Sequence, residues 1–422
     1  MRIAYIVTQY PPAVSTGLGR YVERITPYLA RHHRLAVFTL NDGHQPEHER
    51  DGTVTVHRPR TLLAAAGRGR RLNRTRRHEF LLLTAHVVMS NWRYFRRLRR
   101  ATRDERPDLV AVHDSTNFLS ALLCHHVLRL PIVYHVHTTE YGVAPHRTIV
   151  DPLNVFAAVE RWLGRIARRV VVPTPEVREQ LVAAGWDGTS IDVVCLGGTF
   201  EPVLADPGFD RDKLRARAAD RRALLGIPAG APVLLFVGRL ERQKGIYQLL
   251  EAMREIARAV PGLRLVVVGE GDIEGVRRIV ADTGLGDHVL ASGEFVEASE
   301  LLEYYEMADA CVFPSLYEPF GLVATEAMAM ARPAILGDGF SQIFLGDPAS
   351  PGAQFVRADD PGDIAAGVID VLTDPALRRA LAERGERLVR ERLSWSRAAD
   401  ETLAVYRAAV RTPGTPTPKE DL

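Results

Sequence analysis

The sequence predicts an α/β protein built from two doubly wound domains, on three observations. Short runs rich in valine, isoleucine and leucine alternate with amphipathic stretches along the chain, the pattern of a parallel sheet covered by helices. The chain has 422 residues, more than one ordinary core organises, so two domains are expected. Its composition, 46% hydrophobic and 25% charged, is that of a soluble globular protein.

The opening stretch MRIAYIVTQYPP lacks the small-residue cleavage site of a secretion signal and reads as a first strand, RIAYIV. RLAVFT, TVTVH, DLVAVH, PIVYHVH, RRVVVP and IDVVCL follow in the first half, and PVLLFVG, LRLVVVG, HVLASG, ACVFP, PAILG and AQFVR in the second. Helices fit between them, among them Leu18 to Arg31, Leu153 to Arg168 and Ile246 to Ala259. The domain junction is expected between Gly197 and Pro232, where GGTFEPVLADPGFD concentrates proline, glycine and acidic residues. The predicted division is 1–205 for a first domain and 206–394 for a second. A closing helix follows over 395–411, and 412–422 is a disordered tail. Ligands of such sheets bind beyond the carboxyl ends of the strands, so the chemistry is expected in a crevice between the two domains.

Net charge is +2, which gives no general argument for nucleic acid. Charge is uneven, however: RGRRLNRTRRH (Arg68 to His78) and NWRYFRRLRR (Asn91 to Arg100) are dense in arginine. They read either as a solvated helical surface or as a weak docking surface for an anionic membrane leaflet or a phosphorylated acceptor. No apolar run approaches the ~20 residues of a membrane-spanning helix. Cys124, Cys195 and Cys311 stand far apart, forming neither a disulfide framework nor a metal cluster, which suits a reducing cytoplasm.

Four segments carry candidate chemistry. GRLERQKG follows a strand and brings Gly238, Arg239 and Lys244 to its carboxyl end beside a helix start. That suits a diphosphate, or else is an ordinary basic turn. In YEPFGLVATEAMA, Gly321 lets the backbone turn into a helix whose first amides, with Leu322 and Val323, are free for a phosphate oxygen. Glu326, in the second turn, suits a vicinal diol such as a ribose. Glu318 suits sugar hydroxyls or charge at an anomeric carbon. The plain alternative is a surface helix with two solvated glutamates. QYPPAVSTGLGRY holds Gly17 and Gly19 in a loop before a helix, either a phosphate approach or a simple turn. PIVYHVH places His135 and His137 on one face of a strand end, with His113 on the same rim. Without a third ligand, one hydrogen-bonding histidine is favoured over metal, and packing histidines are the alternative.

Taken together, EPFGLVATEAMA with its E–x7–E spacing, GRLERQKG upstream and RPAILG downstream resemble the retaining glycosyltransferases of family 4, which have the GT-B fold. The resemblance runs from Met1 to about Val410. It implies transfer of a hexose-type sugar from a nucleotide sugar to a hydroxyl, with retention and no metal or other cofactor. Arg239 and Lys244 then match the pair that binds the donor diphosphate, with Gly238 on the same loop. Glu326 matches the ribose-binding glutamate and Glu318 the one that contacts the donor sugar. Phe320, Gly321, Leu322 and Val323 match the loop whose amides meet hydroxyls and phosphate. Gly17 matches the glycine loop approaching the diphosphate, and His137 the histidine ending the fifth strand near the transferred sugar. The implied acceptor is a lipid, a polysaccharide end or a small metabolite. The chain departs from the family pattern at Thr16, at Leu196 to Thr199, and beyond PAILG, where DGFSQIFLGDPAS replaces paired glycines and a glutamate. A nucleotide-sugar-binding protein without turnover, or another GT-B enzyme such as an epimerase, are the alternative readings.

Overall fold

The structure is a computed structural model and describes residues 1–14, 16–41, 43–60, 77–139 and 155–411. The expected tail, 412–422, lies outside the described residues, as do most of the arginine run Arg68 to His78 and the start of the helix expected from Leu153. The chain forms two compact units, Met1–Cys195 with the chain from Trp395, and Leu196–Ser394. The division therefore precedes the 205/206 boundary expected from composition. The stretch after Cys195 folds into the second unit: the Gly198 amide donates to the Leu393 carbonyl, and buried Phe200 meets the Tyr305 ring edge-on.

The first unit carries an eight-stranded sheet. In chain order its strands are β1 (Arg2–Ile6), β2 (Arg34–Phe38), β3 (His48–Asp51), β4 (Val54–His57), β5 (Leu109–His113), β6 (Ile132–His135), β7 (Arg169–Val172) and β8 (Ile191–Val193). Their spatial order is β3-β4-β2-β1-β5-β6-β7-β8, and all pair parallel except β3 with β4. Helices α1 (Gly17–Ala30), α2 (Arg77–Asp104), α3 (Phe118–His126), α4 (Val155–Ile166) and α5 (Pro175–Ala183) connect them. Burial of β5 at every position explains its unbroken apolar reading. The sequence HERD gave no strand signal for β3, because an antiparallel edge strand tolerates charge on both faces. The closing helix, Trp395–Arg411, packs on this unit: Arg168 donates to the Ala409 carbonyl, and fully buried Trp395 lies against Tyr21 of α1.

The second unit has a six-stranded, wholly parallel sheet. Its strands are β9 (Val233–Val237), β10 (Arg264–Val268), β11 (Val289–Ala291), β12 (Ala310–Phe313), β13 (Ala334–Gly337) and β16 (Gln354–Val356). A small hairpin, β14 (Gly346–Asp347) with β15 (Ser350–Pro351), precedes the last strand and was not expected. Spatial order is β11-β10-β9-β12-β13-β16. Around the sheet lie α6 (Arg211–Leu224), α7 (Ile246–Ala259), α8 (Ile273–Thr283), α9 (Ala298–Met307), α10 (Leu322–Ala329), α11 (Pro361–Thr373) and α12 (Pro375–Arg392). Asp210, Asp360 and Asp374 cap α6, α11 and α12, each accepting from two amides of the first turn. Buried Glu306 on α9 meets Arg211 of α6 at 3.1 Å and Arg332 at 2.9 Å, so its charge is paired where water is excluded.

Among the parallel strands of each sheet the order reverses at one place, between β1 and β5 in the first and between β9 and β12 in the second. Loops leaving the carboxyl ends of such neighbouring strands diverge to opposite faces and leave a crevice for a ligand. Every candidate site residue lies on or just beyond an exit loop of β1, β6, β9 or β12.

Candidate active site

In the second unit the two decisive loops are held against each other by backbone. The chain leaving β9 runs beside the chain leaving β10: the Leu240 amide donates to Glu270 at 2.8 Å, and the Asp272 amide to Leu240 at 2.9 Å. Gly269 permits this, since a Cβ there would stand 2.0 Å from the Gly238 carbonyl oxygen. On the other side the Leu316 amide donates to the Gln243 carbonyl at 2.9 Å, and Gln243 Nε2 to the Tyr317 carbonyl at 3.3 Å. Gly245, at φ 71°, sits so close to Pro314 that a Cβ would lie 1.8 Å from its carbonyl oxygen.

That contact delivers Lys244 to Glu318, Nζ to Oε2 at 2.5 Å, across 74 residues of sequence. Both side chains are mostly buried, 20% and 12% exposed. Arg239 stays at the surface, 69% exposed, with its guanidinium 2.8 Å from Glu241 Oε1. The two cations expected to meet a diphosphate thus each hold a carboxylate here, which supplies the counter-charge that a bound anion would replace.

The start of α10 is equally constrained. Gly321 takes φ 96°, and a Cβ there would meet Phe340 Cε1 at 2.2 Å. At the start of α10 the Ala324 amide donates to the Gly321 carbonyl at 3.0 Å, which leaves the Leu322 and Val323 amides without a partner in the helix; its first turn holds no acidic residue and, among the described residues, no side chain caps it. Phe320 differs from its neighbours: its buried ring packs on Phe344 at 5.8 Å between centroids, so it can offer a ligand only its main chain. Glu326, one turn into α10 and buried, accepts a hydrogen bond from the Tyr305 hydroxyl at 2.8 Å. Burial, then the Glu326 charge, raises the Tyr305 hydroxyl well above its ordinary value, so it stays a donor.

Gly17 and His137 belong to the first unit. Gly17 opens α1 at an exposed position, and its N-cap Thr16 turns its hydroxyl toward Gln9 instead of capping the helix. The close approach is made by Gly19, whose added Cβ would lie 2.7 Å from Gln9 Oε1. His137 was expected to end a strand, but β6 stops at His135 and His137 stands two residues beyond. Its Nε2 lies 2.9 Å from His113 Nδ1 with the rings stacked, and Tyr21 of α1 approaches at 4.8 Å. His135 shares the face but is wholly buried and bonds Tyr406 of the closing helix at 2.8 Å. His135 thus serves packing, and half-buried His137 is the one placed for a ligand. Burial lowers all three imidazoles, His137 to about 4, so each is neutral at neutral pH.

Three supports of the site lie outside the residues that the motifs single out. Tyr305 lies 21 residues from the glutamate it orients. The GEGD loop owes its contact to Gly269 and Gly271, and the paired glycines are the signal in the sequence that marks it. Arg58, 1% exposed, pairs with Glu49 at 2.5 Å and donates to the Pro11 carbonyl at 2.5 Å, tying down the loop before α1. Among the described residues no three His, Cys, Asp or Glu side chains are grouped to hold a metal ion.

Residues 218–388 match the family described as Glycosyl transferases group 1, and residues 16–197 match the Glycosyl transferase 4-like domain. The chain is 30% identical over 441 residues to a glycogen synthase of Mycobacterium tuberculosis, covering 99% of this chain and 97% of that one. The chain belongs to the group 1 glycosyl transferases. This glycosyltransferase is also 35% identical to a D-inositol 3-phosphate glycosyltransferase of Kineococcus radiotolerans, over 67% of each chain. Its fold is GT-B. Sucrose-phosphate synthase from Thermosynechococcus elongatus shares it with a TM-score of 0.74, at 23% identity, over 96% of this glycosyltransferase and 98% of that chain.

Proposed function

We propose that this glycosyltransferase moves a hexose-type sugar from a nucleotide-diphosphate donor to an acceptor hydroxyl, with retention at the anomeric carbon and without a metal cofactor. The observation that carries this reading is the convergence, at the strand-order reversal of the second unit, of Lys244 and Glu318 at 2.5 Å. In the proposal the diphosphate takes the place of the Glu318 carboxylate beside Lys244, and Arg239 leaves Glu241 to join it. Amides at the start of α10 supply further positive potential. Glu318, released, turns to the sugar hydroxyls, and Glu326, held by Tyr305, accepts from the ribose diol.

The bond from the anomeric carbon to the phosphate oxygen breaks as the bond to the acceptor oxygen forms on the same face. The acceptor proton passes to the departing phosphate, and the fixed cations stabilise its growing charge. His137 is the residue of the first unit proposed to meet the transferred sugar. The acceptor is a lipid, a polysaccharide end or a small metabolite. An anionic membrane surface is a weak further partner, and the three separate thiols suit a cytoplasmic setting.

A thermal-shift screen of nucleotide sugars tests the donor: the matching donor raises Tm in proportion to ln(1 + [L]/Kd). Proton NMR of the product tests retention, since an α-linked donor must give an α-linked product. An inverted product rules retention out, and loss of activity in EDTA rules out the metal-free reading.

A further inference from the structure

The outward face of α2 is not accounted for by catalysis. Toward the core, α2 buries Asn91, Tyr94, Phe95 and Leu98. Among its described residues Ala85, Val88, Trp92, Arg96, Arg99 and Arg100 are exposed, and the first five recur at intervals of three and four and so form one stripe along the helix. Val88 is 41% exposed and Trp92 48%.

Charge on this helix is one-sided. Between Ala85 and Arg103 the sequence has six arginines and no aspartate or glutamate. Among the described residues, none of Arg93, Arg96, Arg97, Arg99 or Arg100 pairs with a carboxylate. The Trp92 ring lies 5.8 Å from that of buried Phe95 yet leaves about half its surface in water, and like charges three and four residues apart on a merely solvated helix repel. A helix lying in the interface of an anionic bilayer gains from both: tryptophan and valine enter the headgroup boundary while guanidinium groups meet lipid phosphates.

We propose that the Val88–Trp92–Arg96–Arg99 face of α2, flanked by Arg93 and Arg100, is a docking surface for an anionic phospholipid leaflet. This gives a location to the membrane partner in the proposed function, and it stands apart from the donor chemistry of the second unit. Attachment is reversible and salt-sensitive, because a short stripe offers one aromatic anchor and a handful of charges.

Cosedimentation of the full chain with phosphatidylcholine vesicles, with and without phosphatidylglycerol, tests it. The protein is expected to sediment with phosphatidylglycerol vesicles at low salt, to stay in solution with phosphatidylcholine alone, and to be released by salt. Trp92→Ala should weaken binding roughly tenfold, since the tryptophan is the apolar anchor. A combined Arg96→Glu, Arg99→Glu, Arg100→Glu variant should abolish binding while its circular dichroism, Tm and donor-induced thermal shift stay those of the wild type. No vesicle binding at low salt overturns the proposal, as does equal binding by the charge-reversed variant. Binding to heparin or RNA without binding to vesicles also overturns it, by identifying a general polyanion surface. Because the donor-induced shift is read on the same samples, loss of membrane binding and loss of the transferase reading are separate outcomes.

Discussion

Lys244 and Glu326 illustrate how two residues at one ligand divide their work. Glu326 is buried and accepts a hydrogen bond from Tyr305; in the proposed function it would hold a part of the donor that does not react, so its contribution would be the same before and during bond cleavage. Lys244 would face charge that grows only as the phosphate departs. Glu326→Ala should therefore raise the donor KM about tenfold with little change in kcat, whereas Lys244→Ala should lower kcat about a hundredfold. Steady-state kinetics decide, and parallel changes in both constants for both variants would sink the assignment. Tyr305→Phe removes the hydroxyl that bonds Glu326 at 2.8 Å and reaches the Val323 carbonyl at 3.5 Å. It should raise the donor KM by roughly fivefold, about 1 kcal/mol, leaving kcat intact. A kcat loss larger than the KM change in that variant would mean that Tyr305 serves more than the ribose carboxylate.

The elements that form the site are loops pressed together more closely than side chains allow. Gly245 and Gly262 both have positive φ, 71° and 77°, so alanine strains either backbone by about 1 kcal/mol. Only Gly245 also abuts the backbone, with the Pro314 carbonyl oxygen 1.8 Å from an added Cβ, whereas nothing lies within 4 Å at Gly262. Gly262→Ala should cost a few degrees of Tm. Gly245→Ala should cost several more and should also depress donor binding, because relief of the clash pulls Lys244 away from Glu318. Equal Tm losses for the two variants, measured by calorimetry, would contradict this account of the loop contact.

At the level of the whole molecule, the first unit stores a pH dependence in its histidine cluster. His113 and His135 are buried, His137 is half-buried, and removal from water holds all three neutral, with His137 lowered from 6.5 to about 4. Across that window the unfolded chain binds protons that the folded unit refuses. Stability thus falls as pH falls from 6.5 toward 4, by up to about 1.4 kcal/mol per pH unit for His137, and His113 and His135 act in the same direction. Asp114 acts in the opposite sense, because burial raises its carboxyl to about 6 and the folded unit takes up that proton first. One carboxyl offsets one imidazole, so the net slope keeps the sign set by the histidines. Urea melts at pH 7 and pH 5 should show a lower midpoint at pH 5, and equal midpoints would exclude the effect.

The sequence alone determined the local periodicities and the motifs they frame. Strands buried on both faces must be apolar throughout, so all but the charged edge β3 and the two-residue strands of the hairpin could be read directly. The limits of α7 were legible for the same reason, as an amphipathic run between a basic turn and a proline-glycine stop. Spacing also placed Glu318, Gly321 and Glu326 on a strand exit and a helix start. What spacing could not supply was partnership, because which loops meet depends on strand order, a property of the assembled sheet. The pairing of Lys244 with Glu318, the bond from Tyr305 to Glu326, the stop of β6 before His137 and the placement of the closing helix on the first unit were decided only there.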